Sequence, residues 1–182
     1  MRKMLGFVLV AASLSACNQG ETKEAAAAEP KKETTAAAPA PAEFADPKYA
    51  ELGKKGLAAL SAGKVDEWME QYADNAVYQW NNGDSLSGKA AIADYWKKRR
   101  TEVIDSISFS QQIWLPLKVN QPQANEGPGI WLLSWYQVDA TYKGGKSMRQ
   151  AIHTAMHFNA SDKIDRVIQY LDRAPIANAM KT

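Results

Sequence analysis

The spacing of apolar residues changes several times along the chain. Residues 5–12 form a continuous apolar run, whereas residues 18–43 contain no Leu, Ile, Val or aromatic side chain. Helical spacing begins after Asp46: Tyr49, Leu52, Gly53, Gly56, Leu57 and Leu60 fall on one face. Asp46 ahead of Pro47 offers an N-cap and a proline at the first helical position, and Gly63 ends the pattern. The two glycines weaken this helix but let another element approach closely. Val65, Trp68, Met69 and Tyr72 predict a second, short helix, broken by Asp74-Asn75. A short strand over 76–80 and a turn at Asn81-Asn82-Gly83-Asp84 follow. Ser87 is the expected cap of a third helix, with Ile92, Tyr95 and Trp96 facing inward.

Beyond this point the period falls to two. Ile107, Phe109, Ile113, Leu115, Leu117 and Val119 predict one long strand, and residues 122–128 a loop. Gly129–Tyr142, Ser147–Phe158 and 164–172 read as three more strands, joined by turns at Lys143-Gly144-Gly145-Lys146 and Ala160-Ser161-Asp162-Lys163. Helices first and a meander of strands afterwards predict an α+β fold, with three N-terminal helices on one face of a curved, mainly antiparallel sheet.

The first apolar run is too short to span a bilayer, which takes about 20 residues. Arg2 and Lys3 precede it, and Leu14-Ser15-Ala16 close it directly before Cys17. A basic start, an apolar centre and small residues form an export signal over 1–16. Leu-Ser-Ala-Cys resembles the lipobox of bacterial lipoproteins, in which the cysteine becomes the lipidated first residue. Cys17 is the chain's one cysteine, so an internal disulfide is excluded. Residues 17–43 then read as the lipidated cysteine and an Ala/Pro/Glu/Lys tether, unable to offset its ordering entropy and reaching on the order of 30 Å as a coil. A folded domain is expected over 44–182. The expected location is the cell envelope, with the lipid on Cys17 in a membrane. Asn18 favours an outer membrane, because the aspartate that resembles an inner-membrane retention signal is missing there.

Net charge is +2, and the signal carries two of the basic residues away. Nothing basic enough for nucleic acid is left. The run Lys97-Lys98-Arg99-Arg100 suits the negative end of the third helix and reads as a solvated helix end.

Ala58-Ala59-Leu60-Ser61-Ala62-Gly63-Lys64-Val65-Asp66, followed by Tyr72-Ala73-Asp74-Asn75-Ala76-Val77, resembles the opening of the nuclear transport factor 2-like superfamily. Leu86-Ser87-Gly88-Lys89-Ala90-Ala91-Ile92, the hairpin glycine-lysine pair Gly145-Lys146, Asp162-Lys163-Ile164 and Tyr170-Leu171-Asp172 fit its later landmarks. The likeness runs from about Pro47 to Asp172 and is strongest to the SnoaL-like group. It implies a cone-shaped fold with a pocket at the open end, and in many members a dimer through the convex sheet face. The superfamily holds enzymes, binding proteins and transport factors, so fold alone does not give function.

The resemblance also locates the acid-base positions of ketosteroid isomerase relatives. The base position falls on Trp80, the tyrosine position on Gly56 and the protonated acid on Thr154. An indole is no base and glycine has no side-chain proton to give, so that chemistry is not expected. His153 and His157 are separated by roughly 13 Å along a strand, too far to share a metal ion. They are expected on the outer face, as is Trp114. Asp139 shares strand parity with Trp131, Leu133, Trp135 and Gln137. If that face is concave, Asp139 is a weak candidate acid or base. No metal site and no cofactor is implied.

Tyr72, Tyr78, Trp80, Trp96, Trp131 and Trp135, with Gln137, are the candidate ligand-lining residues, suited to a flat or apolar ligand. Three readings stay open. One is a tethered domain that binds a small apolar ligand without chemistry. Another is a hydratase, cyclase or isomerase using Asp139. The third is a dimerising interaction module built on Trp114, His153 and His157.

Overall fold

The computed structural model describes residues 38–123 and 127–181. The export signal, Cys17 and the tether up to residue 37 lie outside the described residues. Along the chain run β1 (Ala42–Phe44), α1 (Lys48–Ser61), α2 (Val65–Met69), β2 (Tyr72–Trp80), β3 (Ser85–Ser87) and α3 (Lys89–Lys98). A π-helical turn (Arg99–Val103) leads into β4 (Ile104–Val119), β5 (Gly129–Tyr142), β6 (Ser147–Phe158), β7 (Ile164–Tyr170) and α4 (Arg173–Met180). The seven strands form one sheet in the order β1-β4-β5-β6-β7-β2-β3. All neighbours pair antiparallel except β2 and β7, which run parallel. The α+β expectation holds: a curled sheet closes around the helices.

Several local expectations are corrected. Strand order begins at Ala42, because the Pro41 carbonyl accepts the Asn120 and Gln121 N–H groups and starts an edge strand on β4. Proline suits position 41, where only its carbonyl is used. Asp46 accepts the Lys48 N–H at 2.8 Å, so the acidic start of α1 is in place. Tyr72 opens β2 and is not part of the second helix. Gly88, at φ +89°, stands where Ser87 was expected to cap α3; Ser87 pairs with Val77 in β3 instead. A fourth helix, α4, follows the last strand. Its cap is Asp172, whose carboxylate accepts the Ala174 N–H at 2.8 Å.

The parity of the long strands differs most from expectation. Gln111 has φ +51°, and the β4–β5 register slips between Ser110 and Ile113. This bulge turns the strand by one residue. Before it, Ile107 and Phe109 face inward; after it, Trp114 does, and Ile113 is exposed. Trp114 therefore leaves the outer face where it was expected and packs over α1 at Gly53.

On β5 the even residues are the inner ones: Leu132, Ser134, Tyr136, Val138, Ala140 and Tyr142 are all buried. Trp131, Trp135, Gln137 and Asp139 take the opposite parity and face outward, paired across β6 with His157, His153, Ala151 and Arg149. The histidines lie on the outer face as expected. There Trp135, His153 and Tyr170 stack in a row, with ring centroids 4.6 and 5.4 Å apart.

Candidate functional site

The curled sheet and the helices enclose a cavity of about 370 Å³. Its walls follow from the parities above. The helix α1 contributes Gly53, Gly56, Leu57 and Leu60, and α2 contributes Trp68. Inward residues of β2 add Tyr72, Tyr78 and Trp80, while α3 adds Tyr95 and Trp96. The sheet supplies Ile107, Phe109, Tyr136, Val138, Ile152, Thr154, Met156 and Gln169, and α4 lies along one side with Ile176, Ala177 and Met180.

Four of the seven residues expected to line a pocket do so: Tyr72, Tyr78, Trp80 and Trp96. Trp131, Trp135 and Gln137 do not, because β5 carries them on its outer face. Trp131 donates to the Gly127 carbonyl at 2.9 Å and sits against His157. Gln137 turns its amide to the Val138 carbonyl. Asp139 is ion-paired with Arg149 outside the sheet and has no part in the cavity. Sequence reading missed Gln71, Tyr95, Arg99, Tyr136, Gln169 and the whole of α4. For Tyr136 and Gln169 the signal was present in the parity, once the correct face is chosen.

The rings meet edge to face. Trp68 packs on Tyr72 and Trp96 with centroids 5.3 and 5.5 Å apart, and Tyr95 on Trp96 at 5.6 Å. Such pairs stabilise beyond their area, by about 0.5–1.5 kcal/mol each, and they fix the wall.

Polar groups within this wall are few. The Trp80 indole donates to Gln169 Oε1 at 3.2 Å. The Tyr136 hydroxyl and Thr154 Oγ1 share a hydrogen bond of 2.7 Å. Burial pushes the Tyr72 and Tyr78 hydroxyls well above the ordinary tyrosine range, so they stay protonated. Among the described residues neither atom of the Gln71 amide has a hydrogen-bond partner, and neither does the Trp96 indole nitrogen. Leaving such a buried group unpaired costs about 1–3 kcal/mol.

The three positions that the resemblance matched to isomerase chemistry, Gly56, Trp80 and Thr154, all line the cavity. Their side chains offer neither a base nor a carboxylic acid. Among the described residues the lining contains no Asp, Glu, His, Lys or Cys, and its charged members are Arg99 and Arg173. Among the described residues no group of three or more His, Cys, Asp or Glu is placed to hold a metal ion.

The profile of the SnoaL-like domain family matches residues 54–167. No functionally curated protein matches the chain. Among solved structures, a candidate isomerase from Bacillus subtilis is 20% identical, with a TM-score of 0.57, covering 72% of this chain and 91% of that one. A candidate polyketide cyclase from Xanthomonas campestris is 15% identical at a TM-score of 0.58, with 72% and 96% covered. An LEH-like epoxide hydrolase from M. tuberculosis is 12% identical at a TM-score of 0.51, with 71% and 86% covered. At these identities the likeness establishes the fold alone.

Proposed function

The chain belongs to the SnoaL-like domain family, and on that premise we propose that its cavity binds a small, mainly aromatic or apolar molecule without transforming it. The observation that carries this reading is the unpartnered Gln71 amide and Trp96 indole N–H in a mainly apolar chamber. A ligand hydroxyl can donate to the Gln71 oxygen or accept from either N–H, and a ligand carbonyl can accept from an N–H donor. A purely structural wall has no use for a buried amide with both ends unmet. Binding without turnover is favoured by the lining, whose Tyr72 and Tyr78 hydroxyls are held protonated and whose charged groups among the described residues are two guanidiniums.

Gln71→Met separates the two roles of this side chain. Exchanging an unpaired amide for an apolar group of similar length removes a desolvation penalty. The variant should be more stable than the wild type in the ligand-free state, by about 1 kcal/mol. In calorimetry the wild type should prefer β-naphthol over naphthalene, and the variant should lose that preference. A wild type that binds neither compound, or a variant that keeps the preference, contradicts the reading.

The same domain is proposed to act from the cell envelope, anchored by lipid on Cys17. Support comes from the export signal, the lipobox-like Leu14-Ser15-Ala16-Cys17 and the tether composition. Labelled palmitate should enter the wild-type chain in a bacterial host and be absent from Cys17→Ser. Equal labelling of the two chains would rule the anchor out.

A further inference from the structure

We propose that the cavity's ligand carries a carboxylate, held at the cavity rim by Arg99. This rests on the binding function proposed above and specifies the ligand's chemical class. Four basic residues end α3 and enter the π-helical turn, and they have different fates. Lys97 pairs with Asp66 at 2.6 Å, and Lys98 lies 4.0 Å from Glu102. Arg100 donates to the carbonyls of Ser61 and Ile104. Arg99 is half-buried and turns toward the cavity, which it lines.

Its guanidinium lies 5.7 Å from the centre of the Tyr95 ring and interacts with the Tyr142 hydroxyl. Among the described residues no carboxylate forms an ion pair with it.

The rim is built from a row of groups. The Tyr95 and Trp80 ring centroids are 5.3 Å apart, and the Arg173 guanidinium lies 5.8 Å from the centre of the Trp80 ring. Two guanidiniums thus bracket an aromatic pair. They differ in one respect: Arg173 is neutralised by Asp84 at 2.9 Å, with a further hydrogen bond to Asn82. Arg99 has no such carboxylate partner among the described residues, and it stands beside a mainly apolar chamber whose described lining contains no acid. A guanidinium carries five donors in a planar fork that matches a carboxylate edge on. One guanidinium without a carboxylate partner balances one negative charge. A dianion such as a phosphate monoester would leave charge uncompensated in a half-buried site, so a monoanion fits best. The ligand class is an aromatic or apolar monocarboxylic acid, its ring in the chamber and its carboxylate at Arg99.

The test compares β-naphthoate with β-naphthamide, which share shape and differ in charge, by calorimetry on the full chain at low salt. Naphthoate should bind about tenfold tighter or more, the usual gain of a charge-assisted hydrogen bond. In Arg99→Gln the ratio of the two affinities should fall toward one. In Lys98→Gln, which removes the same charge from the solvent side, the ratio should persist. Equal affinities in the wild type overturn the carboxylate assignment while leaving the binding cavity intact. Absence of binding by both compounds overturns the cavity reading as well. A ratio that falls equally in both variants assigns the effect to net charge and refutes the role of Arg99.

Discussion

A methyl group at Gly53 would stand 2.4 Å from Cζ3 of Trp114 and 2.8 Å from Cδ2 of Leu132. The missing side chain is what lets α1 lie flat on the sheet. On an exposed helix, Gly→Ala stabilises by about 1 kcal/mol. Here the added carbon overpacks the core, at a cost of about 1–3 kcal/mol. Gly53→Ala should therefore be destabilised by up to about 2 kcal/mol in urea unfolding; a stabilised variant would contradict the contact. That a glycine on the inner face of α1 marks a close approach was legible in the sequence. Its partner was not, because Trp114 was expected on the other face. The orphaned amide of Gln71 was equally hidden, since a lone glutamine between a helix and a strand carries no pattern. Arg99 was concealed by its neighbours: four basic residues in a row look alike until a π-helical turn points one of them inward.

At the scale of elements, parity is decided by single residues. The bulge at Gln111 sends Trp114 inward and leaves Ile113 exposed. Gln112 braces it, donating to the Phe109 carbonyl and accepting from the Trp114 indole. A glutamine at positive φ pays a steric cost that glycine avoids, and a β-branched residue pays more. Gln111→Gly should hold or raise stability by up to about 1 kcal/mol, and Gln111→Val should lower it by a similar amount. The reverse order of urea midpoints would show that the strand is not bulged there. Sequence reading located the four long strands and the two main helices, because period and turn residues mark them plainly. It assigned β5 to the wrong face because both faces of that strand are apolar: Trp131, Leu133 and Trp135 compete with Leu132, Tyr136 and Val138. Alternation then says that a strand is present without saying which side is in. The helix α4 was missed since its short segment, with Pro175 inside, has little apolar periodicity.

At the scale of the molecule, the fold and family were legible from the order of landmarks, and the cavity's position came with them. Its chemistry depended on faces and on unpaired atoms that only the packed structure reveals. What emerges is a chamber walled by edge-to-face rings, with two unmet polar groups inside and, among the described residues, one cation without a carboxylate partner at the rim. The outer sheet face is also aromatic, with exposed Trp135 and Tyr170 on either side of the half-buried His153 ring, and so offers a rival place for a flat molecule to settle. The direct test is a crystal structure of the full chain with a brominated β-naphthol, located by the anomalous signal of bromine. The account predicts bromine inside the curled sheet, with the naphthol oxygen in hydrogen-bonding reach of Gln71 or Trp96. Bromine on the outer face beside Trp135, or no ordered site at all, would contradict it.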